Sequence, residues 1–214
     1  MAKPGPIALI IVDVQNDFVP GGALAVPGGN EVIPAINRLS PTYEIVFATR
    51  DFHPADHVSF ASNHPGHQIG EVLDVNGSPQ VMWPDHCVAG TLGSELHPDL
   101  DTSYVDRVVP KGTRRDVDSY SAFYDNNHEI ATALVGYLRD ANTREVVLCG
   151  LALDYCVRYT ALDALGEGLK VTLVTDATRA VNLDPEDGER TLRELAAAGV
   201  RLATTDELLA EGKR

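Results

Sequence analysis

Glu145-Val146-Val147-Leu148-Cys149-Gly150-Leu151-Ala152-Leu153-Asp154-Tyr155-Cys156 passes from a continuous apolar run to the start of a helix. Residues 145–150 read as a strand buried on both faces, and residues 154–167 as a helix. The next apolar run, 170–175, is a strand again, and 185–198 is a helix with Pro185 in its first turn. A short strand over 200–203 and a helix over 206–211 close the chain. Toward the N-terminus the alternation repeats. Strands are expected at 7–14, 44–49 and 106–110, and helices at 31–40 and 127–142, the latter on the period of Ile130, Leu134, Tyr137 and Leu138. Continuous apolar strands separated by helices predict an α/β fold. Its expected form is a doubly wound, mainly parallel six-stranded sheet with helices on both faces, a three-layer sandwich.

In such sheets ligands sit at the carboxyl ends of the strands. Three expected strand ends carry reactive groups: Asp13, Lys111 and Cys156. Cys156 opens a helix, where free N–H groups and the helix dipole stabilise a thiolate and a developing oxyanion. Taken alone, a free cysteine there is more often a small buried hydrophobe, and Lys111 a snorkelling surface residue. Brought to one crevice, the carboxylate can take the thiol proton while the ammonium stabilises the anions that form.

Residues 51–100 break the alternation. They hold His53, His57, His64, His67, His86 and His97 of the seven histidines, and the single tryptophan, Trp83. A structureless segment of that length inside a compact domain is usually functional. Asp51-Phe52-His53 at a strand end points two ligand-capable side chains the same way. His86, in Trp83-Pro84-Asp85-His86-Cys87, supplies a third. Asp51, His53 and His86 together suit one divalent ion, Zn²⁺, Mn²⁺ or Fe²⁺, with open positions for water. His64, His67, His97 and His128 read as surface polar residues, and Cys87 as packing.

The 214 residues fit one domain spanning 1–214, with the metal segment inserted at about 51–100. A formal charge of −14 disfavours nucleic acid and anionic membranes as partners. Residues 1–6 are too short for a signal peptide, and no run approaches the roughly 18–20 apolar residues of a membrane helix. With three unframed cysteines, a cytoplasmic setting with free thiols is expected. No Gly-x-Gly-x-x-Gly follows the first strand, no P-loop is present, and Cys149 and Cys156 do not form a redox pair.

The motifs are specific in combination. They are Val12-Asp13-Val14-Gln15-Asn16-Asp17-Phe18, Gly21-Gly22-Ala23-Leu24-Ala25-Val26, Thr49-Arg50-Asp51-Phe52-His53-Pro54 and Trp83-Pro84-Asp85-His86-Cys87-Val88. Lys111-Gly112, Asp118-Ser119-Tyr120-Ser121-Ala122-Phe123 and Gly150-Leu151-Ala152-Leu153-Asp154-Tyr155-Cys156-Val157 complete the set. With them the chain resembles the nicotinamidases of the isochorismatase-like cysteine hydrolases, from Ala8 to about Leu209, with their Rossmann-like sandwich. The resemblance implies a catalytic set of Asp13, Lys111 and Cys156, and metal ligands Asp51, His53 and His86, with His57 the candidate fourth. It implies a cis peptide at Leu151–Ala152 and an oxyanion hole from the N–H groups of Ala152 and Cys156. Phe18, Trp83 and Tyr120 would line the ring pocket. The implied substrate is nicotinamide, with pyrazinamide also accepted, and the implied role is NAD salvage. Homo-oligomerisation is compatible with the pattern. Leu153 departs from the threonine expected there and is placed to alter the pocket wall.

The alternatives are an N-carbamoylsarcosine or ureidoacrylate type of amide hydrolase, and a noncatalytic metal- or nucleotide-binding module. The former share the Asp/Lys/Cys set without the metal motifs. An isochorismatase is disfavoured, because it cleaves a vinyl ether without needing the cysteine.

Overall fold

In the computed structural model, which describes residues 5–212, the first apolar run forms strand β1 (Ile7–Val12). Its side chains alternate between two apolar layers: Ala8, Ile10 and Val12 enter one, Leu9 and Ile11 the other. A strand buried on both faces must be covered on both. Helix α1 (Val32–Leu39) supplies Val32, Ile33, Ile36 and Leu39 to the second layer. After it come β2 (Ile45–Asp51), a short hairpin of β3 (Val72–Val75) and β4 (Ser78–Val81), and β5 (Arg107–Lys111). Helix α2 (Ala133–Asp140), β6 (Glu145–Leu151), α3 (Arg158–Gly166), β7 (Lys170–Arg179), α4 (Asp187–Ala197), β8 (Arg201–Ala203) and α5 (Thr205–Glu211) complete the order.

Six strands form one sheet in the order β5-β2-β1-β6-β7-β8, and every neighbouring pair is parallel. The first layer receives Leu134 and Leu138 of α2, Ala161 and Ala164 of α3, and Leu195 of α4. Leu208 and Leu209 of α5 join α1 on the other side. The doubly wound sandwich is therefore as expected, and its central strands are the ones whose ends matter below. Gly150 lies at φ +107°, where its backbone runs against the Val12 main chain, so a Cβ has no room.

Several boundaries differ from expectation. The helix expected over 127–142 begins only at Ala133. Thr132 caps it by accepting the Leu134 N–H, and the preceding residues are held in a turn by Asp125 N–H to Ile130 O at 3.1 Å. Ile130 is consequently exposed, not on the buried face. Pro185 precedes α4 rather than opening it, and β7 extends four residues past Thr175 to Arg179. The helix expected from 154 is split: Leu153–Val157 form one π-type turn before α3.

The long segment is not structureless. Asn76-Gly77, both at positive φ (54° and 86°), close the β3–β4 hairpin as a two-residue turn. That dipeptide is a turn signal legible in the sequence. Among the described residues no helix is long and apolar enough to cross a membrane. Residues 1–4 of the leader reading, and with 213–214 the outer limits of the expected domain, lie outside the described residues.

Candidate active site

Four neighbouring strands, β5, β2, β1 and β6, bring Lys111, Asp51, Asp13 and Cys156 to one place. Asp13 follows the last residue of β1 at φ +47° and is fully buried. Thr49 on β2 fixes it: its hydroxyl donates to Asp13 Oδ1 at 2.7 Å and accepts the Asp13 N–H at 3.3 Å. Asp51 ends β2, and the Gln15 amide docks on its main chain through two 2.8 Å hydrogen bonds.

Lys111 ends β5 and is buried, not snorkelling. Its ammonium lies 2.9 Å from Asp13 Oδ2, 2.5 Å from Asp51 Oδ1, 2.9 Å from Ser119 O and 3.4 Å from Cys156 Sγ. The Asp13 contact is a buried ion pair. Cys156 sits in the π-type turn after β6. The Leu151–Ala152 peptide before that turn is cis, and the Tyr155 and Val157 N–H groups both donate to Ala152 O.

Beside this cluster, Asp51 Oδ2 lies 3.7 Å from His53 Nε2 and 4.0 Å from His86 Nε2. His53 Nδ1 is 2.8 Å from Gly112 O, and His86 Nδ1 is 2.8 Å from Pro84 O. A carbonyl only accepts, so in the neutral ring each Nδ1 carries the proton and each Nε2 presents a lone pair. Two donors at about 2.1 Å from a common ion are roughly 3–4 Å apart. The Asp51, His53 and His86 atoms therefore fit one divalent ion in both spacing and tautomer. His57 is buried and stacks on His53 with 4.1 Å between ring centroids, and its Nε2 has no hydrogen-bond partner. Its ligand-capable atom groups with His53 and Asp118 rather than with Asp51 and His86.

Phe18, Trp83, Tyr120 and Ala152 line the cleft over Cys156, together with Leu24, Tyr155 and Val181. A larger cavity of about 440 Å³, lined by Tyr43, Glu145 and Arg201, lies at the opposite ends of the strands and contains none of these groups.

The isochorismatase domain family matches residues 7–207. The chain belongs to the isochorismatase family. It is 46% identical over 203 residues to the nicotinamidase of Escherichia coli K12, covering 93% of this chain and 95% of that one. A solved nicotinamidase pyrazinamidase from Acinetobacter baumanii superposes with a TM-score of 0.92 at 40% identity, over 97% of this chain and all of that one. A Pyrococcus horikoshii pyrazinamidase solved in complex with zinc superposes with a TM-score of 0.75 at 38% identity, over 93% and 99% of the two chains.

The electrostatics of this isochorismatase-family site follow from burial. Burial pushes the Asp13 carboxyl up to about 6, against the pull of Lys111. Burial would raise Asp51 too, but Lys111 and His53 outweigh it and hold Asp51 well below the usual carboxylate range. Burial works against the Lys111 charge, yet Asp13 and Asp51 keep its pKa well above the ordinary lysine value. Burial lowers His86 to about 4, with His53 adding to the effect.

Cys156 departs from expectation. Burial pushes its thiol well above the ordinary range; Lys111 pulls it down, while Asp13 and Asp51 push it further up. Full burial beside two carboxylates outweighs one ammonium, so the shift runs opposite to the one a helix N-terminus alone gives.

Leu153 also differs from its expected effect. It packs into the apolar layer with Val157 and Leu195 and does not line the cleft. Leu24, Tyr155, Val181, Thr49 and Asp118 were not singled out from sequence. Leu24, Thr49, Asp118 and Tyr155 all lie inside the family-like motifs, whereas nothing local marks Val181. It reaches the cleft because Asp154 accepts its N–H at 2.9 Å and that of Asn182 at 2.8 Å.

Proposed function

We propose that this chain is a nicotinamidase, hydrolysing nicotinamide and the isosteric pyrazinamide to the acid and ammonia in NAD salvage. The observation that carries the proposal is a single Asp51 carboxylate shared by two centres. One oxygen meets Lys111 beside Cys156, and the other faces the bare nitrogens of His53 and His86. A nucleophile for an amide thus adjoins a site for a ring nitrogen. The nicotinamidase and pyrazinamidase relatives support the substrate class.

In the proposed mechanism Asp13 takes the Cys156 proton as the sulfur attacks the carboxamide carbon, and Lys111 stabilises the developing thiolate. The N–H groups of Ala152 and Cys156 hold the oxyanion, each such donor contributing roughly 3–4 kcal/mol of barrier lowering. Asp13 then gives its proton to the amide nitrogen as the C–N bond breaks, releasing ammonia and leaving a thioester. Next Asp13 takes a proton from water, whose oxygen attacks the thioester, and Cys156 departs and recovers that proton. Phe18, Trp83 and Tyr120 clamp the ring. Asp51, His53 and His86 would hold one divalent ion, zinc first, which when bound supplies a Lewis-acid contact for a ring nitrogen and orders water.

Ammonia release from nicotinamide by the purified, zinc-supplied protein tests the proposal; no release above the uncatalysed rate sinks it. The same assay gives a pH prediction. Asp13 must be ionised to accept the proton, and its carboxyl titrates near 6. kcat/KM should therefore fall about tenfold per pH unit below roughly pH 6 and be level just above it. The metal set is tested by elemental analysis of gel-filtered protein: about one ion per chain is expected, and His86→Ala should lose most of it. Full retention by that variant removes His86 from the ligand set.

A further inference from the structure

The β3–β4 hairpin is fastened to the body by side chains of its turn and of β4. Asn76 Nδ2 donates to Asp116 O at 3.3 Å and Ser78 Oγ to Asn127 Oδ1 at 3.0 Å, both at the surface. The third fastening is buried. Gln80 Nε2 lies 3.1 Å from Asp118 Oδ2, 3.1 Å from the Tyr120 hydroxyl and 2.9 Å from Val81 O. The Asp118 carboxylate and the Val81 carbonyl only accept, so the amide nitrogen, not its oxygen, faces this cluster, and its two N–H groups are shared among the three acceptors.

The Tyr120 hydroxyl takes a second donor, Trp83 Nε1, at 3.0 Å. An indole N–H can only donate, and a buried one needs its acceptor. Trp83 and Tyr120 then each meet the ring of Tyr155, next to Cys156, at centroid separations of 4.8 and 5.5 Å. One phenolic oxygen thus ties a three-ring wall of the cleft, and Gln80 holds that oxygen from behind. Gln80 itself does not line the cleft.

We infer that Gln80 is a positioning residue for substrate-ring binding, acting through the Tyr120 hydroxyl on the Trp83–Tyr120–Tyr155 wall. The inference rests on the nicotinamidase proposal for its substrate. Lys111, Asp13 and Cys156 make no contact with Gln80, so the effect falls on binding of the ring rather than on the covalent steps.

Gln80→Met keeps the side-chain volume and removes both donors. It should raise KM for nicotinamide about tenfold, the scale of a lost buried hydrogen bond, with kcat within about threefold. Gln80→Asn, too short to reach, should behave the same way and serves if the first variant folds poorly. Ser78→Ala loosens the hairpin without touching Tyr120 and should leave KM within about twofold. In a Tyr120→Phe background the acceptor is gone, so adding Gln80→Met should change KM by less than about threefold.

Trp83 is the single tryptophan of the chain, so its emission reports this wall directly. Acrylamide quenching should increase in Gln80→Met and not in Ser78→Ala. Wild-type KM and quenching in both Gln80 variants would overturn the inference. So would an equal KM rise in Ser78→Ala, or an undiminished effect in the Tyr120→Phe background. If the unmodified protein releases no ammonia from nicotinamide, the substrate proposal fails. The quenching comparison still decides whether Gln80 holds the wall.

Discussion

Cys156→Ala is expected to lower ammonia release from nicotinamide by on the order of a millionfold in kcat, the scale of losing a covalent nucleophile. The fold should survive. The Cys156 thiol lies 3.4 Å from Lys111, which keeps Asp13, Asp51 and the Ser119 carbonyl when the sulfur is gone. Removing one sulfur from a buried turn costs about 1 kcal/mol, well inside the stability of a domain this size. The other two thiols set the contrast. Cys149 lies within β6, 3.7 Å from Ile10 O, and Cys87 is 3.9 Å from Gly93 O. Neither touches Lys111, so alanine at either should leave activity within a few-fold. Quenched-reaction mass spectrometry should find the acyl group on Cys156, and an adduct on Cys87 or Cys149 would mean the nucleophile is misassigned.

Lys111→Met is expected to be the most damaging change to the fold as well as to the chemistry. It leaves Asp13 and Asp51 buried side by side without their shared cation. Breaking a buried ion pair from one side typically costs about 3–5 kcal/mol, which for this chain length lowers Tm by roughly 10 °C or more. The loss should depend on pH with a definite sign. Asp13 already titrates near 6 in the folded protein with Lys111 present. Removing the ammonium raises it further above its unfolded value. A carboxyl with a raised folded pKa stabilises when protonated, and that stability is lost as pH rises through the folded pKa. The Tm deficit of the variant should therefore narrow from pH 8 toward pH 5. A deficit independent of pH would mean that Lys111 acts through packing alone.

What could be read in the sequence, and what could not, divides along physical lines. The β1 and β6 strands are legible because each is a continuous apolar run. The sheet rule then brings Asp13, Lys111 and Cys156 together, as found. Ile130 fits a helical period and so points to an early start for α2, and only the Thr132 cap and the turn ahead of it show that the period is accidental. The β3–β4 hairpin carries its signal in Asn76-Gly77, but its strands have four residues each and β4, Ser78-Pro79-Gln80-Val81, has no apolar alternation. Electrostatics were the least legible part. A cysteine at a helix start suggests a lowered pKa, but burial beside Asp13 and Asp51 reverses the sign. Val181 lines the cleft, and Gln80 stands behind its wall, only through partners distant along the chain, and no local pattern announces either.

The arrangement of the four strand ends also governs when the chain becomes chemically competent during synthesis. Strand β1, the first made, pairs on one side with β2 and on the other with β6. A nascent chain that has emerged through β5 holds Asp13, Asp51 and Lys111 but leaves one edge of β1 unpaired, with no Cys156 beside them. That open edge is sticky toward other strands until β6 arrives to cover it. The strand that closes the sheet is followed by Cys156, so growing chains on the ribosome carry the three charges before the proposed nucleophile is made.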